Sequence, residues 1–193
     1  MNDVTHLCHF DIPLLCNIPN LVYLAPTCRE EYLAMLKWSL GYKAHPVAIR
    51  VPVGSAAPSG RAFPDDYSVL DRYETVHSGS RVAVFGLGNF LSLGEAVCER
   101  LKEHGIDATL VNPRFASGID ERLLKSLEAN HSLVVTLEDG AVDGGFGEKI
   151  ARFYGPTGMR VLCYGERKQF VDRYDVAELL KSNRLTDSLI AGD

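Results

Sequence analysis

The spacing of apolar and polar positions changes several times along this chain, and each change marks an element. Residues 81–86 (Arg-Val-Ala-Val-Phe-Gly) form an apolar run of strand length. Over 90–103, Leu93, Val97 and Leu101 then recur at helical spacing. The alternation repeats. Residues 108–112 read as a second strand closed by Pro113, and 120–130 as a helix facing inward with Leu123, Leu124 and Leu127. A third strand spans 133–137, and Phe146, Ile150 and Phe153 lie on one face of the helix that follows. The fourth strand is 160–164, trailed by helical 176–182 and a short segment with Leu185, Leu189 and Ile190. Strands this apolar are covered on both faces, and helix-length connections imply parallel pairing with right-handed crossovers. The pattern predicts an α/β domain over residues 76–193, with a mostly parallel sheet flanked by helices.

The front of the chain reads differently. Residues 21–25 are a strand ended by Pro26, and Thr27-Cys28-Arg29-Glu30 has capping-box spacing. The helix after it carries Tyr32, Leu33, Leu36 and Leu40, and 46–52 is a further strand. Two strands and one helix cannot bury their own apolar faces. Residues 1–52 therefore look like the end of a domain, joined by a Gly/Ser/Ala/Pro-rich linker at 53–75 that suggests separate units. Its uncovered edges call for a neighbour, which predicts that the chain is not a monomer.

Composition narrows the function classes. The net charge of -5 and the lack of a basic cluster argue against nucleic acid as a partner. No apolar run approaches the length of a membrane-spanning helix. MNDVTHLCHFDIP has no basic segment followed by an apolar one, so no secretory signal is read there. Cys8, Cys16, Cys28, Cys98 and Cys163 are scattered without a Cys-x-x-Cys pair, as expected of reduced thiols in the cytoplasm.

Motif spacing points to little chemistry. His6-Leu7-Cys8-His9 crowds three ligands into four residues and matches no common zinc spacing. Gly86-Leu87-Gly88 follows a strand, but the next glycine, Gly94, is too far along for a dinucleotide loop; a close helix–strand approach is the better reading. Gly140, Gly144, Gly145 and Gly147 in TLEDGAVDGGFGEKI fit neither the Walker pattern nor a dinucleotide fingerprint. Glu138 and Asp139 end a parallel strand, where α/β sheets place ligands. They read either as carboxylates stabilised by a helix N-terminus or as an acid–base pair.

Several stretches taken together resemble the thiamine-diphosphate-dependent transketolase family, in its 1-deoxyxylulose-5-phosphate synthase branch. They are Thr5-His6 with Phe10-Asp11, Asn17-Ile18-Pro19-Asn20, Ala25-Pro26 and Pro46-Val47-Ala48-Ile49-Arg50. Val111-Asn112-Pro113-Arg114-Phe115 and Val135-Thr136-Leu137-Glu138-Asp139 with Gly144-Gly145-Phe146-Gly147 continue the match in order. The resemblance implies a partial pyrimidine-binding domain at 1–52 and a transketolase C-terminal domain at 76–193. It makes the glycine turn a structural turn near a subunit interface. It implies a transferase of ketol or acyl groups that acts only when completed by the missing diphosphate-binding half, on a separate polypeptide or in a longer gene product. Thiamine diphosphate and magnesium would belong to that completed assembly, because the family's Gly-Asp-Gly motif and its activating glutamate have no counterpart here. His6 and Arg50 match substrate-binding positions. The family's phosphate-gripping arginine is Val53 here and an acidic residue is Asn2, which puts the substrate in doubt. The resemblance also implies a two-fold homodimer. The rival reading is a non-catalytic assembly or regulatory module derived from the same family. A small nucleotide-binding protein is the third.

Overall fold

The computed structural model describes residues 9–51, 57–172 and 175–193. A five-stranded sheet in the order β3-β5-β4-β6-β7 forms its centre, built from β3 (Glu74–His77), β4 (Arg81–Gly86), β5 (Thr109–Asn112), β6 (His131–Ala141) and β7 (Arg160–Glu166). All neighbours pair in parallel except β3, which runs antiparallel to β5 at one edge. The fold is the α/β arrangement expected from the sequence. The antiparallel edge was not expected: β3 is four residues that alternate between half-buried and exposed, too short and too polar to stand out as a strand.

Alternation along β4 explains the two-sided core. Ala83 and Phe85 face one layer, with Val111, Leu124, Phe146, Ile150 and Tyr154 from β5, α4 (Glu121–Leu127) and α5 (Phe146–Tyr154). Val82 and Val84 face the other, with Val97, Leu101 and Ile190 from α3 (Leu91–Glu103) and α7 (Asp187–Ala191). The remaining helix of this part is α6 (Val176–Ser182). The Gly86 reading holds: a Cβ there would lie 2.5 Å from Leu91 Cα, so only glycine lets α3 start this close to β4.

The front of the chain packs against this unit. Its elements are α1 (Asp11–Leu15), β1 (Val22–Leu24), α2 (Arg29–Gly41) and β2 (Val47–Ile49), with β1 and β2 in a separate parallel pair. Leu24 bridges to Phe115, Ala25 N donates to Arg114 O (2.8 Å), and Ala116 N donates to Tyr23 O (2.8 Å). Tyr67, from the stretch read as a linker, is buried with Val22, Leu24, Met35, Trp38 and Phe115 in a third apolar cluster. The inability of two strands and a helix to bury their own faces is thus met within the chain, by Phe115 and by the 57–73 segment. The reading of separate units did not anticipate this packing. Among the described residues no helix is long and apolar enough to cross a membrane.

Two details of α2 differ from the sequence reading. Its inward face is Glu31, Met35 and Trp38, whereas Leu33 and Leu40 are exposed. The acceptor for Thr27 is Glu31, not Glu30: Glu31 Oε2 takes the Thr27 backbone N–H (2.8 Å) and hydroxyl (2.7 Å). Glu30 accepts from Ser59 N instead. Because Leu40 is 72% exposed, Leu40→Ser should change unfolding free energy by no more than about 0.5 kcal/mol in a urea titration. A loss of several times that would restore the face assigned from spacing.

Candidate functional site

The C-terminal ends of β2 and β6 meet the start of α1, and Arg50 ties the three together. Its Nε donates to Asp11 Oδ2 (2.6 Å) and its Nη2 to Asp11 Oδ1 (3.3 Å). Nη1 donates to the Asp139 carboxylate, and Nη2 also to the Asp139 carbonyl (2.9 Å). A guanidinium has five N–H donors in a rigid fork, and this arrangement commits four of them to protein acceptors. Tyr23 adds a hydroxyl bond to Asp11 Oδ2 (2.6 Å). The side chains of Arg50, Asp11 and Asp139 are only 13%, 12% and 20% exposed. Burial works against the Arg50 charge, but Asp139 and Asp11 more than offset it and its pKa ends higher than usual. For Asp139, burial wins: its pKa is raised despite Arg50 and a hydrogen bond from Asn89.

Glu138, one residue earlier, points the other way. Its carboxylate is fully buried and accepts from Phe146 N and Gly147 N, both at 2.8 Å, at the N-terminus of α5. A Cβ on Gly145 would press on that carboxylate and one on Gly147 on Thr136 and Cys163, while Gly144 has φ +73°. The glycines therefore let the helix start close over β6 and receive the chain's own carboxylate where an anion would otherwise bind. Of the two readings left open for this acidic pair, Glu138 takes the helix-terminus role and Asp139 pairs with Arg50. Burial pushes the Glu138 pKa up to about 7, against the two N–H donors.

His9 borders this cluster, its Nδ1 against Glu166 at the end of β7. Burial lowers its pKa, opposed by Asp11. A second buried network joins the front of the chain to the sheet. Glu31, fully buried, accepts from Asn112 Nδ2 (3.0 Å), and Arg114 lies 3.6 Å from it and 3.0 Å from Glu74.

Of the two residues singled out as substrate-binding, Arg50 is in this knot and His6 lies outside the described residues, as do Val53 and Asn2. Asp11 and Tyr23 were missed as partners of Arg50. The available signal was chemical: an arginine directly after the apolar run Val47-Ala48-Ile49 needs a carboxylate close by. Beside the knot lies a groove of ≈ 960 Å³, lined by Pro26, Tyr32, Leu33, Val51, Asn89 and Leu91 among others. It opens at the C-terminal ends of β1, β2 and β4, the edge where α/β sheets receive ligands.

Residues 71–182 match the family described as transketolase, C-terminal domain. The chain belongs to that family. Along 92% of its length it is 37% identical to a 1-deoxy-D-xylulose-5-phosphate synthase of Azoarcus sp. (strain BH72), of which it covers 28%. Along 97% it is 35% identical to the enzyme of the same name from Caldanaerobacter subterraneus subsp. tengcongensis, of which it covers 30%. The chain thus spans less than a third of these curated relatives. Among solved structures it superposes on a split-gene transketolase described as an inactive beta4 tetramer, with a TM-score of 0.82 and 24% identity. That match covers 98% of this chain and 61% of the other. A transketolase variant from Pichia stipitis gives a TM-score of 0.73 at 14% identity, covering 98% and 27%. The last two matches establish the fold.

Whether the described residues suit thiamine diphosphate is a question of donors. Among them no group of three or more His, Cys, Asp and Glu side chains is placed to hold a metal ion. At the glycine turn, the N–H groups of Phe146 and Gly147 are already taken by Glu138. Among the described residues no diphosphate cradle is formed.

Proposed function

We propose that this chain is the C-terminal part of a thiamine-diphosphate-dependent transferase of the transketolase and 1-deoxy-D-xylulose-5-phosphate synthase type. It would take part in ketol or acyl transfer in the cytoplasm, toward isoprenoid precursors. The 193 residues are inactive alone and work with a diphosphate-binding half, carried upstream or on a second polypeptide. What supports this is the extent of the likeness: relatives named as synthases align along 92–97% of the chain while it covers 28–30% of them. In this reading His6 borders the substrate channel, and Arg50 holds the channel wall together through Asp11 and Asp139.

The alternative is a non-catalytic assembly or regulatory module. It is favoured by the fold neighbour described as an inactive assembly of a split-gene product. A neighbouring reading frame encoding a Gly-Asp-Gly domain would support the first reading and count against the second.

The 193-residue chain should show no heat of binding with thiamine diphosphate and magnesium in titration calorimetry. It should gain binding when mixed with a diphosphate-binding half. A dissociation constant in the low micromolar range for the chain alone would overturn the claim that it depends on such a half.

A further inference from the structure

Ala116 sits where the front of the chain meets the α/β unit. Its N–H donates to Tyr23 O, and its own carbonyl oxygen is shared by two side-chain donors. Cys16 Sγ, directly after α1, donates to it at 3.0 Å. Lys149 Nζ, on α5, donates to it at 2.6 Å. Two donors that approach one carbonyl along its lone-pair directions lie about 4–5 Å apart. The flexible four-carbon stem of a lysine lets its amine swing over the rest of that distance. Both side chains are half-buried and line one cavity of ≈ 320 Å³. Cys16 also lines a second cavity, of ≈ 330 Å³, so small reagents reach its sulfur. The other described cysteines have hydroxyl or carboxylate neighbours instead. Cys28 donates to Ser59, Cys98 faces Asp107 and Glu95, and Cys163 faces Thr136 and Glu138.

We propose that Cys16 and Lys149 form an oxidative cross-linking site, at which a hydroperoxide converts the pair into a covalent sulfenamide bridge between the front of the chain and α5. The reaction has two steps. The Cys16 thiolate attacks one oxygen of the hydroperoxide: an S–O bond forms, the O–O bond breaks, and the other oxygen leaves as water or an alcohol. Sulfur is thereby oxidised to a sulfenic acid and the peroxide is reduced. Lys149, as the free amine, then attacks that sulfur. An S–N bond forms, the S–O bond breaks, and the hydroxyl leaves as water with one amine proton. Sulfenic acids condense in this way with backbone nitrogen, and a lysine amine is the stronger nucleophile. A dithiol reverses the link: one thiol attacks the sulfur, the amine regains its proton, and the second thiol frees Cys16. Burial raises the Cys16 pKa against the pull of Lys149, and Asp11 and Glu138 add to the rise. The thiolate is therefore scarce at neutral pH, and the bridge should form faster at mildly alkaline pH. The tie fastens the segment that carries Arg50 to the unit that carries Asp139.

This bridge does not depend on the cofactor chemistry proposed above, and its test reads peptide masses and unfolding only. The 193-residue chain is treated with a small excess of hydrogen peroxide at mildly alkaline pH, its remaining thiols are alkylated, and its peptides are weighed. One species should join the Cys16 and Lys149 peptides and be lighter by two hydrogens than the two together. Dithiothreitol should separate it. Lys149→Arg keeps a charged donor at the Ala116 carbonyl and should abolish the link, leaving Cys16 as a sulfenic or sulfinic acid. Cys16→Ser keeps a hydrogen-bond donor and should abolish it as well. Because the link closes a long loop, the oxidised parent should unfold at a higher urea concentration than the reduced one, a difference absent from both variants. Peroxide that leaves Cys16 unoxidised overturns the proposal. So does an unaltered chain whose Cys16 is oxidised without a link to Lys149, or a link that survives either substitution.

Discussion

Arg50→Ala should lower the unfolding free energy by about 3–5 kcal/mol at neutral pH, the usual cost of leaving buried charges without their partner. Two carboxylates, Asp11 and Asp139, would lose their shared counter-ion while Tyr23 still held one of them in place. In a chain of this size that corresponds to a fall in Tm of about 10 °C or more. Arg50→Lys should recover part of the loss, since it keeps the charge but cannot present the fork. The pH dependence separates charge from packing. Asp139 already has a raised pKa with Arg50 beside it, and removing the cation would raise it further. A carboxyl group whose folded pKa is raised binds its proton more tightly in the folded state. Its penalty is therefore present above that pKa and is relieved as pH falls. The deficit of Arg50→Ala should accordingly shrink between neutral and mildly acidic pH in parallel urea titrations. A deficit constant across that range would mean that Arg50 acts through the packing of its stem.

The sheet was legible in the sequence because its central strands are continuous apolar runs and its helices keep one apolar stripe. Val82 to Phe85 could only be a doubly covered strand. Elements decided by tertiary contacts were not legible. β3 is an edge whose partner, β5, lies more than 30 residues away, and nothing local in Glu-Thr-Val-His announces it. In α2 the pattern Tyr32, Leu33, Leu36, Leu40 competed with Glu31, Met35, Trp38. The second won because Glu31 finds Thr27, Asn112 and Arg114 inside. A buried glutamate with partners is invisible to a rule that puts carboxylates outside. The same limit applies at the site. Arg50 and Asp139 are 89 positions apart, and only the crossing of β2 and β6 ends makes them neighbours. The glycine turn was read as structural and the helix-terminus role was one of two left open for the acidic pair, but that Glu138 alone fills it while Asp139 turns to Arg50 depends on the fold.

Glu138→Ala should rank with Arg50→Ala as the most damaging single change in the α/β unit. It would strip the acceptor from two backbone N–H groups buried under α5, each costing about 1–3 kcal/mol when left unpaired. Water cannot easily replace the carboxylate, because Phe146, Gly147 and Glu138 are all buried. Glu138→Gln tests a different property. Its side-chain oxygen accepts one N–H, while its amide nitrogen cannot accept the other, so some loss remains. The glutamine, however, carries no titrating proton. In the unaltered chain the folded-state pKa of Glu138 stands at about 7, above the ordinary value of 4.5. Between those two values the folded state holds the proton and the unfolded state does not. This group's contribution to stability therefore declines as pH rises through that window and levels off above it. Stability measured by urea titration from mildly acidic to mildly alkaline pH should carry that decline in the unaltered chain and lack it in Glu138→Gln. The glutamine variant should thus lose ground to the parent at acidic pH and regain it at alkaline pH. Parallel curves for the two proteins would mean that the two N–H donors keep Glu138 ionised throughout, and that burial does not govern its titration.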